Sequence, residues 1–440
     1  MIQTLKNAWK VSEIRSKILF TLLVILLYRL GSNVPVPFVS GDLMDFFADS
    51  AGIFGYMNLL SGGAFAQGTV FALNVSPYIT ASIVIQLLTV ALPPLERWAK
   101  DGEAGRKKIG ALTRVVTVAL ALVTAIGYAM LLDNSQMLSY GDNNKGFVYV
   151  VIIACFCAGS SVIMWLAERI NEFGIGNGIS MILFANILAR FPYMFADFWN
   201  LMFPVEGFDP WGIIPFVISI VVVVAIIVLI VWFTESERRI PIQYAKRQVG
   251  RKMYGGQSSN LPLKMNMAGV MPVIFASSIV SIPATIASII PNSGFGKFVN
   301  EWLNPSTSWL YLIIYIVLIL LFSYFYIMIS FNPVEVANNI RNQGGSVPGI
   351  RPGKPTSDYI SRILRRITTL GAIFLIFIAG FPMLVSIINN ALVKAEVTTW
   401  VFNSAAFGGT SMLIVVGVAL ETFRNLESQL AMRNYKGFLD

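Results

Sequence analysis

The side chains that usually carry chemistry are scarce in the interior of this chain. It has no histidine, so the commonest general base and the commonest metal ligand are both missing. Cys155 and Cys157 sit inside an apolar run, where reduced packing residues are the expected reading rather than a disulfide or a metal site. There is no Walker-type glycine loop, so the chain itself does not consume nucleotide. No Asp or Glu falls in the middle of an apolar stretch, and Arg29 and Glu421 lie near the ends of theirs. The groups left at depth are polar but uncharged: Asn74, Ser76, Thr80 and Gln86, then Asn177 and Asn186, then Ser277 and Ser278. Each is costly in lipid and cheaper at a helix interface or beside water. Interhelical hydrogen bonding and a watery lumen or moving seam both remain open. Hydrolase and metalloenzyme chemistry are argued against, as is an enzyme acting on membrane lipid. A carrier for a small solute, the alternative that topology permits, generally needs intramembrane carboxylates or coordinating unwound segments. A pore whose constriction is aliphatic needs none, because it blocks ions by dewetting.

The elements that must position these residues are membrane helices. The chain of 440 residues is 56% hydrophobic and only 12% charged, against roughly 25% charged in soluble domains, and its mean hydropathy is +0.69. Apolar windows of the length a bilayer demands recur about ten times. They fall at 18–36, 71–92, 111–132, 147–167, 177–195, 211–233, 268–290, 309–330, 368–388 and 405–423. With the N-terminus inside, every one of the 32 Lys and Arg faces the cytoplasm except Arg29, Lys145, Arg190, Lys297 and Lys394. That asymmetry predicts a multi-pass protein with both termini cytoplasmic. The first window lacks a small-residue cleavage site and reads as a mature helix. Two sets of five spans imply halves of opposite topology, residues 1–195 and 211–424, joined by an external segment 196–210 and followed by a tail 425–440; inverted repeats of this kind are common in transport proteins.

Two regions break the pattern. Residues 37–70 are too polar to span, yet contain a short apolar segment at 53–60 followed by Ser61-Gly62-Gly63. A half-helix there can enter the membrane only where protein or a water-filled cavity receives it; an external amphipathic loop is the plainer reading. The loops 234–266 and 331–367 are long and basic. Attraction to anionic lipid accounts for some of that charge. Their organisation goes further: 240–251 is amphipathic, basic and helix-like, and 347–353 is a tip punctuated by Pro and Gly. Such loops suit the docking of a large partner.

Several strings are far from generic apolar sequence: FALNVSPYITASI at 71–83, GIGNGIS at 174–180, YAKRQVGR at 244–251, NMAGVMP at 266–272, PGIRPG at 348–353 and FGGTS at 407–411. In these the chain resembles bacterial SecY, over about residues 17–438 and with the spans in family order. The resemblance implies an all-α fold of ten transmembrane helices in two inverted five-helix halves around an hourglass pore, with a re-entrant plug half-helix. It implies an aliphatic pore ring at Val75, Ile79, Ile179, Leu183, Ile274 and Ile414. The plug would be Phe54, Gly55, Tyr56, Met57, Asn58, Leu59, Leu60, Ser61, Gly62 and Gly63, running on toward Phe65. A lateral gate would lie between the second and third spans and the seventh and eighth, tuned by Thr80, Gln86, Asn177, Ser277 and Ser278. Lys246, Arg247, Arg251 and Arg351 would contact the ATPase SecA or the ribosome, while SecE clamps the back and SecG is peripheral. Expected clients are unfolded, signal-bearing preproteins in the bacterial cytoplasmic membrane. No cofactor is implied, and no nucleic acid except through the ribosome.

Overall fold

The computed structural model describes residues 2–39, 57–58, 60–140, 144–202, 213–244, 247–249, 252–254, 258–290, 293–303, 308–394 and 409–436. In chain order the helices are α1 (Ile2–Lys10), α2 (Ser12–Gly31), α3 (Ser76–Ala91), α4 (Pro93–Lys100), α5 (Gly102–Asn134), α6 (Lys145–Phe173), α7 (Gly178–Met202) and α8 (Ile213–Glu235). They continue with α9 (Met271–Ile289), α10 (Gly294–Trp302), α11 (Trp309–Ser330), α12 (Pro333–Asn342), α13 (Lys354–Lys394) and α14 (Gly409–Lys436). Each apolar window overlaps one of these helices. Among the described residues four helices are long and apolar enough to cross a membrane unaided, and α3 with α4 is long and apolar enough only as a pair, bent by 100°. The bend falls at Leu92, whose backbone is extended (φ −108°, ψ 117°) before Pro93, as the proline ring requires of the residue it follows. The helix α7 runs to Met202, past the boundary expected at residue 195.

One apolar core joins the two halves. It gathers Tyr28 of α2, Ile83 of α3, Ile163 of α6, Ile182 of α7, Val273 of α9, Tyr315 of α11, Leu375 of α13 and Leu413 of α14, among others. Close approach is bought locally with glycine. A Cβ on Gly178 would lie 1.9 Å from the Ala167 carbonyl oxygen, and one on Gly409 equally near that of Ile378, so α7 meets α6 and α14 meets α13 through bare backbone. Large aliphatic residues on the outer faces, such as Leu22, Leu23, Leu26 and Leu30 of α2 and Val221, Val224 and Val228 of α8, are exposed. That is the arrangement lipid favours, since acyl chains are as apolar as these side chains.

The two basic loops fold together, and the helix-like reading of 240–251 is corrected. Strand β1 (Glu237–Tyr244) pairs antiparallel with β4 (Ser258–Lys264) and with β5 (Gly345–Ser346), while β2 (Arg247–Val249) pairs with β3 (Lys252–Tyr254). Ile240 and Ile242 are buried while Arg239, Pro241 and Gln243 are exposed, an alternation with the period of a strand. Over so few residues that alternation resembles a helical stripe, and ladder partners from distant sequence decide between them. Ile240, Ile242 and Leu263 pack with Ile340 of α12, Val347, and Ile360 and Leu364 of α13 in a small core of their own.

Candidate functional site

The six expected ring residues converge. Val75, Ile79, Leu183, Ile274 and Ile414 are each no more than 7% exposed and share the central core, with half-buried Ile179 packed against it. Val75 is the N-cap of α3, Ile179 and Leu183 lie near the start of α7, and Ile274 and Ile414 lie in the first turns of α9 and α14. Helix starts from both halves therefore deliver aliphatic side chains to one cluster.

Leu60, from the expected plug, packs on the same core. Of that segment Phe54, Gly55, Tyr56 and Leu59 lie outside the described residues; Met57, Asn58, Leu60 and Ser61 are helical, and Gly62 and Gly63 turn the chain with φ +67° and +96°. A side chain at Gly62 would come within 3.0 Å of the Asn186 carbonyl oxygen and 2.9 Å of an Arg29 Nη, so the turn lies flat against α7 because it has no Cβ.

A buried polar clasp holds the segment. The Leu60 carbonyl accepts from Asn74 Nδ2 at 2.7 Å and from Asn186 Nδ2 at 2.9 Å. Asn186 Nδ2 also approaches the Tyr28 hydroxyl oxygen at 2.9 Å and Asn74 Oδ1 at 3.2 Å. Asn186 is fully buried, and its Oδ1 has no hydrogen-bond partner among the described residues. Asn74 adopts φ +52°, a left-handed conformation that asparagine tolerates better than most residues. Within the segment, Asn58 Oδ1 accepts from Ala66 N at 3.1 Å, and Ser61 Oγ accepts from Phe65 N at 2.9 Å. The Tyr128 hydroxyl of α5 donates to the Phe65 carbonyl. Sequence reasoning placed Asn74 and Asn186 at depth but missed Tyr28 and Tyr128. The available signal was a phenol inside an otherwise apolar run, because a buried tyrosine hydroxyl needs a partner.

Cavities flank this assembly. One of about 280 Å³ reaches Ile274 and Leu413 and is lined toward the loops by Thr234, Lys264, Glu421 and Arg424. There Arg424 donates to Glu235 Oε1 at 2.7 Å and to the Thr234 carbonyl at 3.3 Å, tying α14 to α8. Burial, reinforced by the Arg424 charge, pulls the Lys264 ammonium below the ordinary lysine range against the opposing carboxylates of Glu235, Glu237 and Glu421. The other cavity, about 130 Å³, is lined by Gly62, Gly63, Gln67, Arg29 and Arg190. Leu60 on the aliphatic core and Gly62 on the second cavity place the segment between the two.

At the expected gate, α9 packs against both α3 and α5. Three of the polar side chains there bond within their own helices. Thr80 Oγ1 donates to the Ser76 carbonyl at 3.0 Å, and Ser277 and Ser278 Oγ donate to that of Ile274 at 2.9 and 2.8 Å. Asn177 Oδ1 accepts from Ile179 N at 3.1 Å at the start of α7, and Gln86 is exposed. In the loops Lys246 and Arg251 lie outside the described residues, and Arg247 belongs to β2. Arg351 is exposed at the tip, between Gly349 (φ +78°) and Gly353 (φ +104°), and its carbonyl accepts from Thr356 Oγ1 at 2.9 Å. The tip thus presents an exposed guanidinium.

Comparison with known proteins adds the family and the fold. A family model described as SecY matches residues 69–423. The chain is similar to the protein translocase subunits SecY of Streptomyces coelicolor, 43% identical with all of both chains covered, and of Corynebacterium glutamicum, 40% identical over 98% of this chain and 99% of that one. Among solved structures, one of a protein-conducting channel shares the fold with a TM-score of 0.64 at 17% identity, covering 94% of this chain and 92% of the other. Sec61 in the canine ribosome-channel complex does so with a TM-score of 0.59 at 16% identity, with the same coverages.

Proposed function

This chain belongs to the SecY family, and we propose from that premise that it acts as a protein-conducting channel rather than an enzyme, working in the bacterial cytoplasmic membrane with both termini in the cytoplasm. The single observation that carries the mechanism is the aliphatic cluster of Val75, Ile79, Leu183, Ile274 and Ile414, with a cavity reaching Ile274 from the loop side and the clasped Leu60 against it. Closed, such a cluster excludes ions by dewetting, with no charge needed. Opened, it fits around an unfolded chain and offers it no polar group to bind.

Opening starts on the loop platform. A ribosome, or the SecA motor, docks on the strands and on the tip bearing Arg351, and SecE holds the two halves at the back with SecG at the periphery. Docking biases the halves apart along the seam where α9 meets α3 and α5. A signal sequence enters that seam, the Leu60 carbonyl leaves Asn74 and Asn186, and the preprotein threads the ring. Apolar nascent segments leave sideways, because lipid dissolves them better than the aqueous path does. The basic loop faces add attraction to anionic lipid.

The test is reconstitution into liposomes with SecE, SecA, ATP and an unfolded preprotein, scored by protease protection of the preprotein. Protected preprotein is the expected result. Its absence under conditions in which a known channel works would overturn the proposal, and uptake of a small solute by vesicles holding only this protein would favour a carrier.

A further inference from the structure

The helix α10 has no part in the mechanism above, yet its composition is specific. It follows α9 on the face opposite the loops and packs against α9 and α11. Ser293 caps it, its Oγ accepting from Gly296 N at 3.0 Å, and the Ser308 hydroxyl donates to the carbonyl of its last residue, Trp302. Gly296 and Val299 are buried against the protein. Phe295, Phe298 and Trp302 recur at helical spacing along one edge and stay exposed by 44%, 49% and 54%, with the Phe298 and Trp302 rings stacked at 6.5 Å. Lys297 and Glu301 are exposed too.

What covers the aromatic edge follows from what it continues. The exposed residues of α9 and its C-cap are aliphatic, Ile282, Ile286 and Ile290, and the aromatic edge of α10 opens with Phe295, the next exposed large apolar residue of the chain among the described residues. Aliphatic then aromatic then charged is the order met on crossing from acyl chains through the headgroup boundary to water. A protein partner would give no reason for that gradient.

We propose that α10 is an interfacial foot: its aromatic edge lies in the lipid headgroup boundary on the face opposite the loops and fixes the depth at which α9 leaves the bilayer. The cap and the Ser308 contact hold the foot rigid, so a displacement of α10 is passed to α9. That α9 is a gate helix rests on the channel reading above; the seating of α10 in lipid does not, and depth is measured without transport.

The experiment uses the full chain with Cys155 and Cys157 replaced by alanine, in phosphatidylethanolamine–phosphatidylglycerol nanodiscs. Nitroxides are placed singly at F298C, K297C and I290C and read by collision with oxygen and with a water-soluble nickel chelate. The labels at 298 and 290 should meet oxygen several-fold more often than nickel, and the label at 297 the reverse. With Phe295→Gln and Trp302→Gln added, nickel collisions at 290 should rise several-fold, and Phe295→Trp in place of Phe295→Gln should bring them back toward the starting value. Equal nickel access at 298 and 297 overturns the proposal. So does exclusion of both reagents from 298, which would mean that protein covers the edge, or an unmoved label at 290 in the glutamine variant, whose folding is checked by its thermal transition.

Discussion

The clasp on the Leu60 carbonyl makes a prediction that is large because it is not additive. That carbonyl accepts from Asn74 and from Asn186, at 2.7 and 2.9 Å, and these two bonds tie the expected plug segment to the lead-in of α3 and to α7. Replacing Asn186 with Ala leaves the carbonyl satisfied by Asn74, so the loss is one ordinary hydrogen bond, about 1 kcal/mol or fivefold in the docked-to-undocked ratio. The loss is reduced further because the unpaired Asn186 Oδ1 disappears with it. Asn74 is best replaced by Gly, since its φ of +52° would strain alanine and most other residues; the expected loss is again about fivefold. Removing both takes both side-chain donors from a half-buried carbonyl. Its desolvation, about 1–3 kcal/mol, adds to the lost bonds, for a total near 3 kcal/mol, on the order of 100-fold. Ion efflux from proteoliposomes holding the resting channel reads the undocked population. The leak should rank Asn186→Ala below Asn74→Gly and both well below the double variant, with Tyr28→Phe close to the parent because its hydroxyl does not touch the plug. A double variant no leakier than either single one would refute the reasoning.

Three further outcomes are expected. Arg351→Glu should abolish SecA-driven transport in the protease-protection assay while leaving the thermal transition within about 1 °C, since the side chain is exposed and the tip uses only its carbonyl. Thr80→Val should change signal-sequence selectivity less than about twofold, because the hydroxyl bonds its own helix at Ser76; a large shift would mean that Thr80 acts across the seam. The Tyr140 and Tyr149 hydroxyls donate to the two carboxylate oxygens of Asp133, and Asp133→Asn should lower the melting temperature at pH 7, because hydrogen bonds to a charged acceptor are stronger than those to a neutral amide.

The helices were legible residue by residue because lipid satisfies no backbone group. Each span must bond internally and carry its own apolar length, a constraint written locally in the chain. The basic loops were legible for the same local reason. Motif strings located Val75, Ile79, Ile179, Leu183, Ile274 and Ile414, whereas hydropathy could not have told them from the aliphatic residues that fill every span. Only the tertiary structure decided that 237–244 is a strand, since its ladder partners lie at 258–264 and 345–346, and that the polar residues at depth divide into two kinds. Thr80, Ser277 and Ser278 bond back onto their own helices, while Asn74 and Asn186 meet across 112 residues of chain to hold one carbonyl. A buried amide must find a partner, but its own sequence does not say whether that partner is a turn away or half the molecule away.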